Sequence, residues 1–165
     1  KTVDCPILMI PTNFRYKKPA KIAYTTNFLF KDIQALNALR KWAKVFNSEI
    51  NCLHIVDLAD EMPDANNNMN ILEEGFGDNQ FTQFDVVQGN LITAINEYVA
   101  AENIEMVAML SRKRNLIQRI VEGSNAQRLA KQVAVPLLVL KGAAFAPTKW
   151  ETVVDKANTP LWQRD

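Results

Sequence analysis

The sequence predicts an α/β domain with an open, five-stranded parallel sheet and helices on both faces. Two observations predict it. Strand-like runs alternate along the chain with segments of helical period. The runs 104–110 (IEMVAML) and 135–140 (VPLLVL) are almost continuously apolar, as strands covered on both faces must be. At 165 residues, 48% of them hydrophobic, the chain is long enough to bury one core.

The elements follow in order. Ile22 to Thr26 is rich in β-branched and aromatic residues and reads as the first strand. From Phe30 to Phe46 the residues Ile33, Leu36, Leu39, Trp42, Ala43 and Phe46 recur at three and four, which places them on one helix face. Asp32 lies near the start of that helix, where a negative charge suits the dipole. Ile50 to Val56 (INCLHIV) is the second strand. Residues 57–80 are polar and Asn-rich and predict a mobile, protease-sensitive loop, with room for a short helix near 69–74. Phe84 to Val87 is a third, weaker strand, and Leu91 to Ala101 a helix. Ile104 to Leu110 is the fourth strand. A basic turn (Ser111, Arg112, Lys113, Arg114) opens a helix that runs to Glu122, and Gly123-Ser124 breaks it. Ser124 can cap a further helix reaching about Gln132. Val135 to Leu140 is the fifth strand, and no period is visible after it.

Lys+Arg and Asp+Glu nearly balance, at 19 and 18. That charge gives no pull toward nucleic acid or an anionic membrane. No apolar run is long enough to span a bilayer, and the opening residues lack a signal-peptide layout. The two cysteines, Cys5 and Cys52, form no C-x-x-C pair, and His54 has no neighbouring ligands for a metal. A reduced, cytoplasmic protein without metal, nucleic-acid or membrane partner is expected. His54, inside an apolar strand, reads as a structural histidine, and Cys52 as a small buried hydrophobe.

Three stretches resemble the universal stress protein family. Lys21 to Phe28 (KIAYTTNF) is similar to its opening strand and the turn after it. Ile50 to Val56 matches its Leu-His-Val type of strand. Gly123-Ser124, a helix and Val135 to Leu140 form the third and most specific block. The likeness runs over residues 20–142. The remaining parts are 1–19, read as the final strand of a preceding domain plus a linker, and a tail, 143–165, carrying Trp150 and Trp162.

The resemblance implies a nucleotide-binding signature, Gly-x-x-Gly followed nine residues later by Gly-Ser or Gly-Thr. Glycines let backbone approach phosphates, and the last pair opens a helix whose free N–H groups favour an anion. Aligned on Gly123-Ser124, the earlier glycines are replaced by Leu110 and Lys113, and the family's acidic residue after the first strand by Asn27. The resemblance therefore implies a non-catalytic module acting through assembly or protein contacts, with no required cofactor. The alternative is an ATP or AMP binder using Gly123, Ser124, Asn125, Arg112 and Asn27. At these residues an ordinary helix cap, a solvated basic loop and a turn are the competing readings. An ATP-dependent enzyme of the related pyrophosphatase class needs a Ser-Gly-Gly loop after the first strand, where this chain reads Thr25-Thr26-Asn27-Phe28-Leu29.

Cys5 to Pro11 (CPILMIP) repeats the look of Val135 to Leu140. Members of the family pair through their final strands, and an exposed final strand is a sticky edge. Ile7 to Ile10 is therefore expected as an extra edge strand, antiparallel to Leu137 to Leu140. The pairing arises within a tandem protein of which this chain is the second half, within the chain itself, or with a second copy as a homodimer.

Overall fold

The computed structural model describes residues 5–27, 30–57, 83–111 and 132–141. The expected loop at 57–80, the helices between 112 and 131, and the tail with Trp150 and Trp162 lie outside the described residues, Asp57 excepted.

Six strands form one sheet: β1 (Ile7–Met9), β2 (Lys21–Thr26), β3 (Glu49–Val56), β4 (Gln83–Gln88), β5 (Met106–Ser111) and β6 (Leu137–Lys141). Their spatial order is β1-β6-β5-β2-β3-β4. β2 to β6 are mutually parallel, and β1 runs antiparallel along β6. Helix α1 (Phe30–Phe46) joins β2 to β3, and α2 (Leu91–Ala101) joins β4 to β5. A crossover to a parallel neighbour is right-handed. From β2 the chain moves toward β3 and β4, then returns across them to β5, so the two helices fall on opposite faces. The packing agrees. Ala35, Leu36, Leu39 and Ala43 of α1 meet Ile22, Tyr24, Ile50, Cys52, Ala108 and Leu138 on one face. Ile92, Ile95 and Tyr98 of α2 meet Ala23, Leu53, Val107, Leu137 and Val139 on the other. The alternation within each strand is the period-2 pattern of a sheet covered on both sides.

Both helices stop on an asparagine in the left-handed region, Asn47 (φ 51) and Asn103 (φ 54). Beyond them the Ser48 N–H bonds to the Ala43 carbonyl at 2.8 Å and the Ile104 N–H to the Val99 carbonyl at 3.0 Å, which ties off the last free carbonyls. This accounts for one difference from the sequence reading. The apolar run starts at Ile104, but the strand starts at Met106, because Ile104 completes the end of α2. Likewise β6 starts at Leu137. Pro136 has no N–H to give, and its carbonyl accepts from Val107 at 2.9 Å. Trp42, placed by its spacing on the buried face of α1, is 41% exposed at the margin of the stripe, and Ala35, Leu36, Leu39 and Ala43 fill the centre.

The extra strand lies where the sequence put it. Ile7 faces Val139, Leu8 faces Leu138 and Met9 faces Leu137. Ile10 stays outside the strand, 60% exposed, immediately before Pro11. From Ile10 the chain crosses the amino ends of β6 and β5 to reach β2, and there it is pinned. The Glu105 carboxylate accepts from the Ala20 N–H and pairs with Lys17. The Ser48 hydroxyl donates to the Pro19 carbonyl at 2.6 Å. The hydrogen bonds from Lys17 and from the Ala20 N–H hold the Glu105 pKa below its ordinary value, against the smaller opposing effect of burial.

A depressed carboxylate stabilises the fold above its unfolded pKa and loses that contribution as pH falls through its folded pKa. Glu105→Gln should therefore lower the melting temperature at pH 7 by about 2–4 °C, corresponding to about 1 kcal/mol. The difference from wild type should shrink below pH 4. Scanning calorimetry across pH checks this, and a pH-independent difference contradicts it.

Candidate functional site

The topology of the sheet locates the site. The order in which strands are added reverses at the β2–β5 boundary, and in open α/β sheets ligands occupy the crevice at such a reversal, beyond the carboxyl ends of the strands. Thr25 stands opposite Met109. Asn27 and Ser111, two residues further on each strand, therefore leave the sheet at the same end on either side of the reversal.

Asp32 builds the β2 side of this crevice. Its side chain is fully buried in the first turn of α1. It accepts from the Tyr24 hydroxyl at 2.8 Å and from the Asn27 N–H at 3.2 Å. A buried carboxylate is costly unless donors surround it, and these two, with the helix N-terminus, offset the cost. The consequence is geometric. The turn leaving β2 is clamped to the helix it enters, and Asn27 is presented exposed at the rim.

Beside it on β3, His54 is part-buried and its Nδ1 lies 2.8 Å from the Thr26 carbonyl. A carbonyl only accepts, so Nδ1 carries the proton. Burial lowers the His54 pKa, opposed by the Thr26 hydrogen bond and the charge of Asp32. Cys52, on the same face, is fully buried, and burial, aided by Asp32, raises its thiol pKa far out of reach of thiolate chemistry. Cys52 is thus the small buried hydrophobe its sequence context implied.

On the far side of the reversal, Ser111 ends β5 and pairs in register with Lys141, which ends β6. They share the α2 side of the sheet with Val107, Met109 and Val139, and they are only 5% and 4% exposed. The Ser111 hydroxyl is buried without a hydrogen-bond partner. A serine and a lysine thus stand in register at the carboxyl end of the sheet. Of the residues the sequence nominated, Asn27 is at the crevice. Arg112, Gly123, Ser124 and Asn125 lie outside the described residues. Sequence reading missed Ser111 and Lys141 as a pair, because the β5–β6 register is needed to bring them together, and it missed the clamp role of Asp32. The signal for the clamp was a tyrosine inside an apolar strand, whose hydroxyl must find a partner when buried.

A sheet wound in this way defines the doubly wound α/β class, and the comparisons narrow it. The model of the universal stress protein family matches residues 32–141. The chain belongs to that family. A universal stress protein from Archaeoglobus fulgidus DSM 4304 superposes with a TM-score of 0.63 at 18% identity, over 84% of this chain and 50% of its own. The chain thus spans about half the length of that relative. Hypothetical protein MJ0577 matches with a TM-score of 0.55 at 23% identity, over 74% of this chain and 95% of its own. A universal stress protein in complex with cAMP matches at 0.53 and 12%, over 75% and 98%. A search of curated proteins returns no match.

Two outcomes are expected. Asp32→Ala strands the Tyr24 hydroxyl and the Asn27 N–H and should cost about 2–4 kcal/mol in denaturant unfolding, with Asp32→Asn costing less because an acceptor remains. A loss under about 0.5 kcal/mol for Asp32→Ala contradicts the clamp. For His54, the folded pKa is the lower one, so the unfolded chain takes the proton first. Stability then declines as pH falls from about 6.5 toward the folded value. His54→Gln should flatten that part of the pH–stability curve. An unchanged slope between pH 7 and pH 5 counts against it.

Proposed function

We propose that this chain is a non-catalytic stress-response module that works through assembly, using the edge formed by Leu137 to Leu140 with Ile7 to Ile10. The observation that carries this reading is β1 lying antiparallel on β6. The final parallel strand accepts an added strand, and the family resemblance supports assembly at that edge. Burial holds the Cys52 thiol protonated, which supports the non-catalytic part of the reading. Among the described residues no group of three His, Cys, Asp or Glu could hold a metal, and no helix is long and apolar enough to cross a membrane.

Adenine-nucleotide binding is the second reading. The orphaned Ser111 hydroxyl, in register with Lys141, favours it, since a phosphate oxygen would give that hydroxyl a partner. So does the related universal stress protein complexed with cAMP. Against it, Leu110 and Lys113 carry side chains where the signature requires bare backbone, and Asn27 replaces an acidic residue. Catalysis of the pyrophosphatase kind has no glycine loop after β2 to support it.

Light scattering coupled to size exclusion, alongside calorimetry with ATP and AMP, separates the readings. The assembly reading expects a concentration-dependent dimer and no nucleotide affinity in the micromolar range. Any weak binding should fade with added salt and with Arg112→Ala. A strict monomer that binds ATP at micromolar concentration overturns it in favour of the second reading.

A further inference from the structure

We propose that the outer face of the last two turns of α1, where Trp42 and Val45 lie beside Arg40, Lys41 and Lys44, docks an acidic amphipathic helix of a partner protein. The face involves no residue of the β1–β6 edge, and its use does not depend on the assembly reading.

The fold does not explain these two apolar side chains. α1 buries Ala35, Leu36, Leu39 and Ala43 against the sheet. At 3.6 residues per turn, Val45 stands about 160° round the helix from Ala43, and it is 76% exposed. Local propensity does not explain it either. A β-branched side chain loses χ1 freedom in a helix, and here no burial offsets that loss. Trp42 is 41% exposed and lies three residues before Val45, so the two are neighbours on the helix surface.

The charges beside them choose the occupant. Residues 37–47 hold three cations, Arg40, Lys41 and Lys44, and no acid. Cations suit the end of a helix, and a glutamate one turn away would offset them. α1 has none. Its one acid, Asp32, is buried and accepts from Tyr24 and Asn27. Among the described residues the ion pair is that of Lys17 with Glu105, so none of the three cations has a carboxylate partner there. The helical period sets Trp42 and Val45 as an apolar stripe and Lys41 and Lys44 as a basic stripe next to it. A partner helix with apolar residues on one flank and Asp or Glu on the next matches both stripes at the ordinary spacing of packed helices. Trp and Arg are also the residue types that most often anchor an interface. A membrane surface fits less well, because only two apolar side chains of this face point outward and interfacial helices need a broad apolar face. A nucleic-acid backbone would engage the cations and leave Val45 in water.

The test titrates the full chain into a fluorescein-labelled helical peptide of about 16 residues, with leucines at i, i+3, i+4 and i+7 and glutamates on the adjoining flank. A peptide of the same composition with the period scrambled is the control. Anisotropy should show saturable binding of the periodic peptide, about tenfold tighter than the control, and weakening about threefold or more as salt rises from about 0.1 to 0.5 M. Val45→Glu, which leaves the core untouched, should weaken binding about tenfold without lowering the melting temperature. Lys41→Glu/Lys44→Glu should do the same, and should instead take a peptide with lysine in place of glutamate. Amide shifts of the ¹⁵N-labelled chain should change over residues 37–47. No binding of the periodic peptide at about 1 mM, equal affinity for the scrambled one, full affinity in Val45→Glu, or shifts centred elsewhere overturns the proposal. So does tighter association with phosphatidylserine–phosphatidylcholine vesicles or with oligouridylate, lost in Lys41→Glu/Lys44→Glu, which would assign the face to a membrane or to RNA.

Discussion

The backbone of β6 has two sides, and β5 satisfies only one of them. Leu137, Leu138, Val139 and Leu140 are all buried. The strand is therefore apolar on both faces, with the outward N–H and C=O groups of Leu137 and Val139 along its rim. Such a strand cannot end a sheet in water without inviting a neighbour. The rest of the amino-terminal architecture follows from that requirement: an apolar tripeptide between prolines, a linker across the amino ends of the strands, and the Glu105 and Ser48 contacts that anchor it. The chain's own β1 is what occupies this edge.

The opposite end of the sheet is organised by a different economy. Two helices on opposite faces force a reversal between β2 and β5, and the reversal opens a crevice. Its β2 wall is clamped because the buried Asp32 carboxylate accepts from both Tyr24 and Asn27. Its β5 wall retains an unsatisfied hydroxyl at Ser111 next to a buried lysine. A polar group left unpaired in a buried position is expensive, and it is the feature of this crevice that still points to a ligand.

Much of the fold was legible because the signals are local. The helices 30–46 and 91–101 came from spacing. The parallel sheet came from apolar runs, and the β1–β6 pairing from the likeness of CPILMIP to VPLLVL. Strand ends were less legible. Ile104 looks like strand, yet it closes α2, since Asn103 ahead of it adopts the left-handed conformation and makes the turn there. The site was legible only in part. The exposed position of Asn27 at the end of β2 follows from the strand pattern, but Asp32 reads as an ordinary first-turn acid until Tyr24 is seen to reach it. Ser111 and Lys141 are 30 positions apart and become neighbours only through the β5–β6 register.

The account's central claim is that β1 shields the outer backbone of β6. Native-state hydrogen exchange reads this directly, residue by residue. The amides of Leu137 and Val139 face β1 and those of Leu138 and Leu140 face β5. In the wild-type chain all four should be protected. With Leu8→Pro, protection should fall at Leu137 and Val139 and persist at Leu138 and Leu140. Rapid exchange at Leu137 and Val139 in the wild-type chain, or equal loss at all four in the variant, would contradict the account.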